Sequence, residues 1–232
     1  MPADAYRRYA IYYTVPPGPL ARFGAEWLGW DIEAGCTPSA RASVPDLPRP
    51  IETLTTGPHR YGFHATIKPP FRLAPGASEA ALTDALANFC TARPPVPLHD
   101  VELACFGRFV ALVARGDAAR ITALASGAVR QLDTFRAAPS EAEIARHLKP
   151  ALTARQIAHL HRWGYPHVMD CFRWHMTLTA KLPRREAQQT CAALAPVLAP
   201  LLPHPLQVDA LSLVGEDADG RFHLVHRAAL TG

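Results

Sequence analysis

The sequence predicts an α+β fold of two pseudo-twofold-related lobes, each with an antiparallel sheet and flanking helices, and a functional cleft between them. Three observations carry this expectation. A phrase of His-x-Thr plus an aliphatic residue occurs twice, as His64-Ala65-Thr66-Ile67 and His175-Met176-Thr177-Leu178. Each copy is followed by the same succession of signals, helix then strand then strand. Local letters recur at matching places, Gly107-Arg108-Phe109 in one copy and Gly220-Arg221-Phe222 in the other. Alternating strands and helices closed by hairpins are the mark of an α+β arrangement.

The elements follow in order. Arg8 to Val15 reads as a strand ended by Pro16-Pro17. A helix spans about Pro19 to Trp30, with Leu20, Phe23, Trp27 and Trp30 at helical spacing. Residues 36–58 are rich in Pro, Ser and Arg without a period, a length of chain that is often functional. The first His-x-Thr strand covers about 61–67 and stops at Lys68-Pro69-Pro70. A helix over about 78–92 opens on Ser78 as N-cap. Strands Val101–Phe106 and Arg108–Ala114 join near Gly107. Residues 117–135 carry a helical pattern, Ile121, Leu124, Ala125, Ala128 and Leu132. Ser140-x-x-Glu143 and Thr153-x-x-Gln156 are capping boxes that open two more helices, the second ending near Gly164-Tyr165-Pro166. The second His-x-Thr strand covers about 171–182, followed by a helix of about 184–199 and strands 206–214 and 221–228. One domain of 232 residues results: a first motif half of about 61–114, a helical connection of about 115–168, and a second motif half of about 169–230.

Composition narrows the class. Hydrophobic residues make up 49% and charged residues 19%, which is a globular balance. A net charge of +4 and a pI of about 8.9 lean toward an anionic ligand but fall short of a nucleic-acid signature. Met1 to Arg8 holds no apolar signal core, and prolines interrupt every long apolar stretch, so no membrane span or secretion signal is expected. Five scattered cysteines (Cys36, Cys90, Cys105, Cys171, Cys191) without a C-x-x-C pair read as reduced thiols of a cytoplasmic protein.

In a strand, alternate side chains share a face, so His64 and Thr66 lie together opposite Phe63, Ala65 and Ile67. His175, Thr177 and Thr179 do the same opposite Trp174, Met176 and Leu178. A pseudo-twofold axis would set the two half-sites face to face. A neutral imidazole accepts a proton and an imidazolium donates one, both near pH 7. Two of them flanking phosphorus suit in-line displacement, each role being worth roughly 10²–10⁴-fold. Thr hydroxyls donate to non-bridging phosphoryl oxygens. No cofactor and no metal is called for, and the sequence contains neither H-E-x-x-H nor a Walker loop.

The paired His-x-Thr strands and the repeat resemble the two-histidine phosphoesterase superfamily. It includes the RNA 2′,3′-cyclic phosphodiesterases and the 2′-5′ RNA ligase-like proteins. The strings Arg60-Tyr61-Gly62-Phe63-His64-Ala65-Thr66-Ile67-Lys68-Pro69-Pro70-Phe71 and Phe172-Arg173-Trp174-His175-Met176-Thr177-Leu178-Thr179 look like a bacterial branch associated with phosphonate metabolism. The resemblance implies His64 and His175 as catalytic residues and Thr66 and Thr177 as phosphate-contacting hydroxyls. It implies a phosphoric diester hydrolase that opens a cyclic phosphate, for instance ribose 1,2-cyclic phosphate 5-phosphate. Alternatives are an RNA or nucleotide 2′,3′-cyclic phosphodiesterase and a non-catalytic nucleotide or RNA binding module. A small phosphorylated substrate is the favoured partner over RNA, with no membrane and a monomeric state.

Strand parity adds candidates of its own. Lys68 and Arg173 fall on the His faces and suit a second phosphate, and Tyr61 and Tyr12 suit the pocket wall. Other features read more plainly. His159-x-His161 and His223-x-x-His226 lack further metal ligands. Trp27, Trp30, Phe23 and Phe109 read as core. Ser39, Ser43, Arg41, Arg49 and Arg60 either decorate the 36–58 loop or make it a lid.

Overall fold

A seven-stranded antiparallel sheet organises the chain in this computed structural model, which describes residues 6–116 and 118–232. The N-terminal stretch Met1 to Ala5 and Asp117, the expected first residue of a helix, lie outside the described residues. Strand β1 (Arg8–Thr14) leads into α1 (Pro19–Leu28), with Pro at the first helical position and Gly29 closing it at φ 76. The 36–58 segment carries only the short α2 (Ile51–Leu54), and a 3₁₀ turn at Pro58–Tyr61 follows. Then come β2 (His64–Phe71), α3 (Glu79–Thr91), β3 (Val96–Leu98), β4 (Val101–Phe106) and β5 (Phe109–Ala114). The connection holds α4 (Ala119–Gln131), α5 (Glu141–His147) and α6 (Ala154–Trp163). The chain ends with β6 (His175–Thr177), α7 (Arg184–Leu198), β7 (Leu206–Val208), β8 (Ala210–Glu216) and β9 (Phe222–Ala229).

The capping expectations are met side chain by side chain. Ser78 accepts from Ala81 N–H, and both capping boxes form, Ser140 with Glu143 and Thr153 with Gln156. The main departure is topological. The sheet order is β4-β5-β6-β2-β1-β8-β9, with β3 and β7 paired separately, so two expected sheets are one. The hairpin β4–β5 follows β2 in sequence but lies against β6. The hairpin β8–β9 follows β6 but lies beyond β1, on the side of β2. Helices are exchanged likewise: α3 packs under β8 and β9, and α7 under β4 and β5. Each repeat therefore completes the other.

This exchange places both motif strands at the centre. Tyr9, Ile11 and Tyr13 of β1 join the main core with Ala65, Ile67, Met176 and Leu178. The alternate residues Ala10 and Tyr12 join a second cluster with Trp30, Ile32, Val214 and Phe222. Helix α3 contributes Leu82, Leu86, Phe89 and Cys90, and α7 contributes Ala187, Leu194 and Leu198, all buried on one helical face. Trp27 donates its indole N–H to Leu178 O at 2.8 Å, tying α1 to the second motif.

Two strand bounds differ from expectation. The first runs on through Lys68-Pro69-Pro70-Phe71. Prolines are tolerated there because β6 spans only three residues and leaves that edge of β2 unpaired. The second is cut to His175–Thr177, since Leu178 and Thr179 N–H both turn to Val110 O and Ala180 N–H to Leu54 O. Among the described residues, no helix is long and apolar enough to cross a membrane, and all five cysteines are free.

Candidate functional site

The two motif strands are neighbours in one sheet, not partners facing across a gap. Antiparallel pairing sets Ala65 opposite Met176. That register places His64 beside Thr177 and Thr66 beside His175, all on one face, because residues on either side of a pair oppose each other in turn. The two half-sites thus form a four-residue square. Both histidines and both threonines line a single cleft of about 710 Å³. On the opposite face Ala65 and Met176 are fully buried, which fixes the register.

The two imidazoles are held in the same way. His64 Nδ1 lies 3.0 Å from Gly62 O, and His175 Nδ1 lies 2.8 Å from Arg173 O. A carbonyl only accepts, so each Nδ1 carries the proton and each Nε2 presents a lone pair. Thr66 Oγ1, at 3.0 Å, donates to His64 Nε2. His64 stacks on Tyr12 with ring centroids 3.7 Å apart, and His175 stacks on Phe106 at 4.9 Å. Burial lowers the His64 pKa to about 4, with a further push from His175, against the help of Gly62 O. Burial also lowers His175. Both rings are neutral bases at pH 7 until an anion arrives to favour the imidazolium.

Gly62 makes the His64 arrangement possible. Its φ of 68 and ψ of 179 lie where only glycine is at ease. A Cβ there would stand 2.6 Å from Ile32 Cβ. The backbone turns at Gly62 so that its carbonyl meets the imidazole two residues on.

Of the candidates beyond the square, Tyr12 and Tyr61 line the cleft. Lys68 and Arg173 do not. A β-bulge shifts the β1–β2 register from Tyr12↔Thr66 to Ile11↔Lys68, so strand parity breaks after Thr66. Lys68 is 2% exposed and donates to Val129 O and Asp133, both at 3.2 Å. The Arg173 guanidinium folds back onto Asp170 O and Phe172 O, and only its carbonyl serves the site. The cleft's cations come from elsewhere: Arg8, Arg60, Arg146 and Lys181, with His147 and Tyr165 beside them. No spacing in the sequence pairs these residues, because they come from four separate segments. The 36–58 loop reaches the cleft only at Gly57 and Pro58, while Arg41 is tied to Glu26 O, Trp27 O and Thr55.

No carboxylate lines the cleft among the described residues, so the lining suits an anion and offers no oxygen ligand set for a hard cation. His159, Asp170 and Cys171 bring donor atoms within 4.8 Å of one another outside this cleft. Asp170 is already held there by His159 and Arg155. His223 pairs with Asp217 at 2.7 Å instead of with His226.

A family described as a protein of unknown function, DUF1045, matches residues 66–223. A protein of Janthinobacterium sp. (strain Marseille) named ribose 1,5-bisphosphate phosphokinase PhnN is 36% identical over 231 residues, covering 94% of this chain and 49% of that protein. A protein of the same name from Laribacter hongkongensis (strain HLHK9) is 35% identical over 181 residues, covering 75% of this chain and 40% of that protein. The chain thus spans about half the length, or less, of the curated relatives it matches. Among solved structures, E. coli LigT complexed with NADP+ aligns over 98% of this chain and 99% of its own, at 18% identity and TM-score 0.47. A structure described as a phosphoesterase aligns over 98% of this chain and 99% of its own, at 16% identity and TM-score 0.46. Both curated relatives are named for a phosphokinase, a phosphoryl transferase, and neither for diester hydrolysis. That name overturns the expected cyclic phosphodiesterase, for sugar or RNA ends, and with it the phosphoric diester hydrolase and the non-catalytic module.

Proposed function

The chain belongs to the DUF1045 family, and we propose that its cleft binds a ribose phosphate, with His64 and His175 moving protons at the phosphoryl group during a phosphoryl-transfer reaction. The observation that carries this reading is the square itself. Two imidazoles with identical tautomers turn their Nε2 atoms into one cationic cleft, each beside a threonine. One imidazole takes the proton of the attacking oxygen, and the other, once protonated, supplies one to the leaving oxygen. Once His64 Nε2 is protonated it no longer accepts from Thr66, and Thr66, with Thr177, donates to the non-bridging oxygens, where charge develops. The ribose bisphosphate in the relatives' name supports the choice of sugar. It fits a cleft of about 710 Å³ walled by Tyr12 and Tyr61.

Calorimetry and ³¹P NMR with ribose 1,5-bisphosphate test the reading. The parent chain should bind, and His64→Gln or His175→Gln should weaken binding at least about tenfold, the value of one charge-assisted hydrogen bond. With ATP as donor, each change should abolish the transferred-phosphoryl signal. Absence of binding, or binding indifferent to both changes, would overturn it.

A further inference from the structure

Arg146 and His147 form the last turn of α5, and Tyr165 follows the left-handed cap Gly164 that ends α6. All three line the same cleft as the histidine square, yet none belongs to either motif. Their wall is firmly mounted. Glu143 closes the capping box of α5 and pairs with Arg72 at 3.0 Å, anchoring the helix to the chain just beyond β2. Arg136 reaches from Asp133 to Arg162 O at 3.2 Å, holding the end of α6. The His147 ring meets Tyr165 edge-on at 5.2 Å between centroids.

The polar groups of this wall are uncommitted. Among the described residues Arg146 has no carboxylate or hydrogen-bond partner, unlike Arg8, which is paired with Glu216 in a two-pronged contact. The Tyr165 hydroxyl and the His147 ring nitrogens also make no hydrogen bond there. Burial and the positive charge of Arg146 keep His147 below its ordinary pKa, a cost that a bound dianion reverses. A guanidinium, a phenol and an imidazole on one wall of a cleft that no carboxylate lines among the described residues are the donors that a phosphate dianion recruits; Glu143, which shares a smaller adjoining cavity with them, is committed to Arg72.

We infer that the wall of Arg146, His147 and Tyr165 is a second anion subsite, taking the far phosphate of a bis-phosphorylated sugar whose reacting phosphate lies at His64 and His175. This rests on the proposed ribose-phosphate reading and adds the reason for preferring a bisphosphate to a monophosphate. The segment between the motifs therefore sets the ligand's length, while the motif strands set the chemistry.

Two variants and two probes test it. Dissociation constants are measured for ribose 1,5-bisphosphate and ribose 5-phosphate with the parent chain, Arg146→Gln and His64→Gln. A bisphosphate spans both subsites, so each change should weaken it about ten- to a hundredfold, the range of one charge-assisted hydrogen bond. A monophosphate occupies one subsite, so only one of the two changes should weaken it and the other should leave it within about twofold. Bisphosphate binding untouched by Arg146→Gln but weakened by His64→Gln overturns the subsite and leaves the ribose-phosphate reading standing. The reverse pattern keeps the anion wall and overturns that reading. Equal weakening of both probes by both variants means a single phosphate site and overturns the inference.

Discussion

The substitution Gly62→Ala tests how a backbone turn sets a side-chain tautomer. At φ 68 and ψ 179, Gly62 occupies a region that costs a residue with a Cβ about 1–3 kcal/mol. The new methyl would also stand 2.6 Å from Ile32 Cβ and 3.1 Å from its Cγ2, inside the packed second cluster. Overpacking of that kind costs about 1–3 kcal/mol. Together they predict a loss of about 2–6 kcal/mol in urea denaturation. Because the Gly62 carbonyl holds His64 Nδ1–H, relaxing the turn should also release the tautomer, visible in the imidazole ¹⁵N shifts. Truncating Ile32→Gly in the same chain removes both the Cβ and the Cγ2 that the methyl would meet but leaves the backbone cost. The two changes should therefore couple favourably by about 1–2 kcal/mol in a double-mutant cycle. A loss below about 0.5 kcal/mol, with His64 still protonated on Nδ1, would mean that the Gly62 turn does not set the tautomer.

Four more outcomes follow from the same geometry. Lys68→Met should leave ribose-phosphate affinity within about twofold, because its ammonium is committed to Val129 and Asp133. Burial lowers the Lys68 pKa to about 8, so between there and its ordinary 10.5 the unfolded chain holds the extra proton. Parent stability should therefore rise relative to Lys68→Met across that window, by up to about 3 kcal/mol, and a flat difference between denaturation curves would contradict it. For His64 the folded pKa is also depressed, from 6.5 to about 4. As pH falls through that interval the unfolded chain takes the proton first. The parent should lose up to about 3 kcal/mol relative to His64→Gln, and a constant difference would count against a desolvated imidazole. Thr66→Val keeps the shape but removes the donor, and should weaken phosphate binding about tenfold with little change in Tm.

The square was legible in the sequence because a strand's period of two is rigid over three residues. His64 and Thr66 needed only that regularity to share a face. Lys68 did not inherit it, since a bulge after Thr66 is a pairing irregularity without a sequence mark as plain as a turn glycine. Capping boxes at Ser140 and Thr153 were equally readable, because each is a local four-residue device. The exchange of hairpins was not: pattern shows that β4–β5 and β8–β9 are alike, while which motif strand each one flanks is decided by long-range packing of α3 and α7. The cations of the cleft were hidden for the same reason. Arg8, Arg60, Arg146 and Lys181 share no spacing and meet only once the sheet and the α5–α6 connection are in place.

The proposed function stands on His64 and His175 forming one proton-handling phosphate site. Long-range ¹H–¹⁵N spectra of the histidine side chains, recorded at pH 7 with and without ribose 1,5-bisphosphate, test it most directly. Two neutral rings protonated on Nδ1 are expected in the free chain, both shifting at Nε2 on ligand addition, with at least one moving toward the imidazolium. Rings that ignore the ligand, or a free-state proton on Nε2 of either histidine, would contradict it.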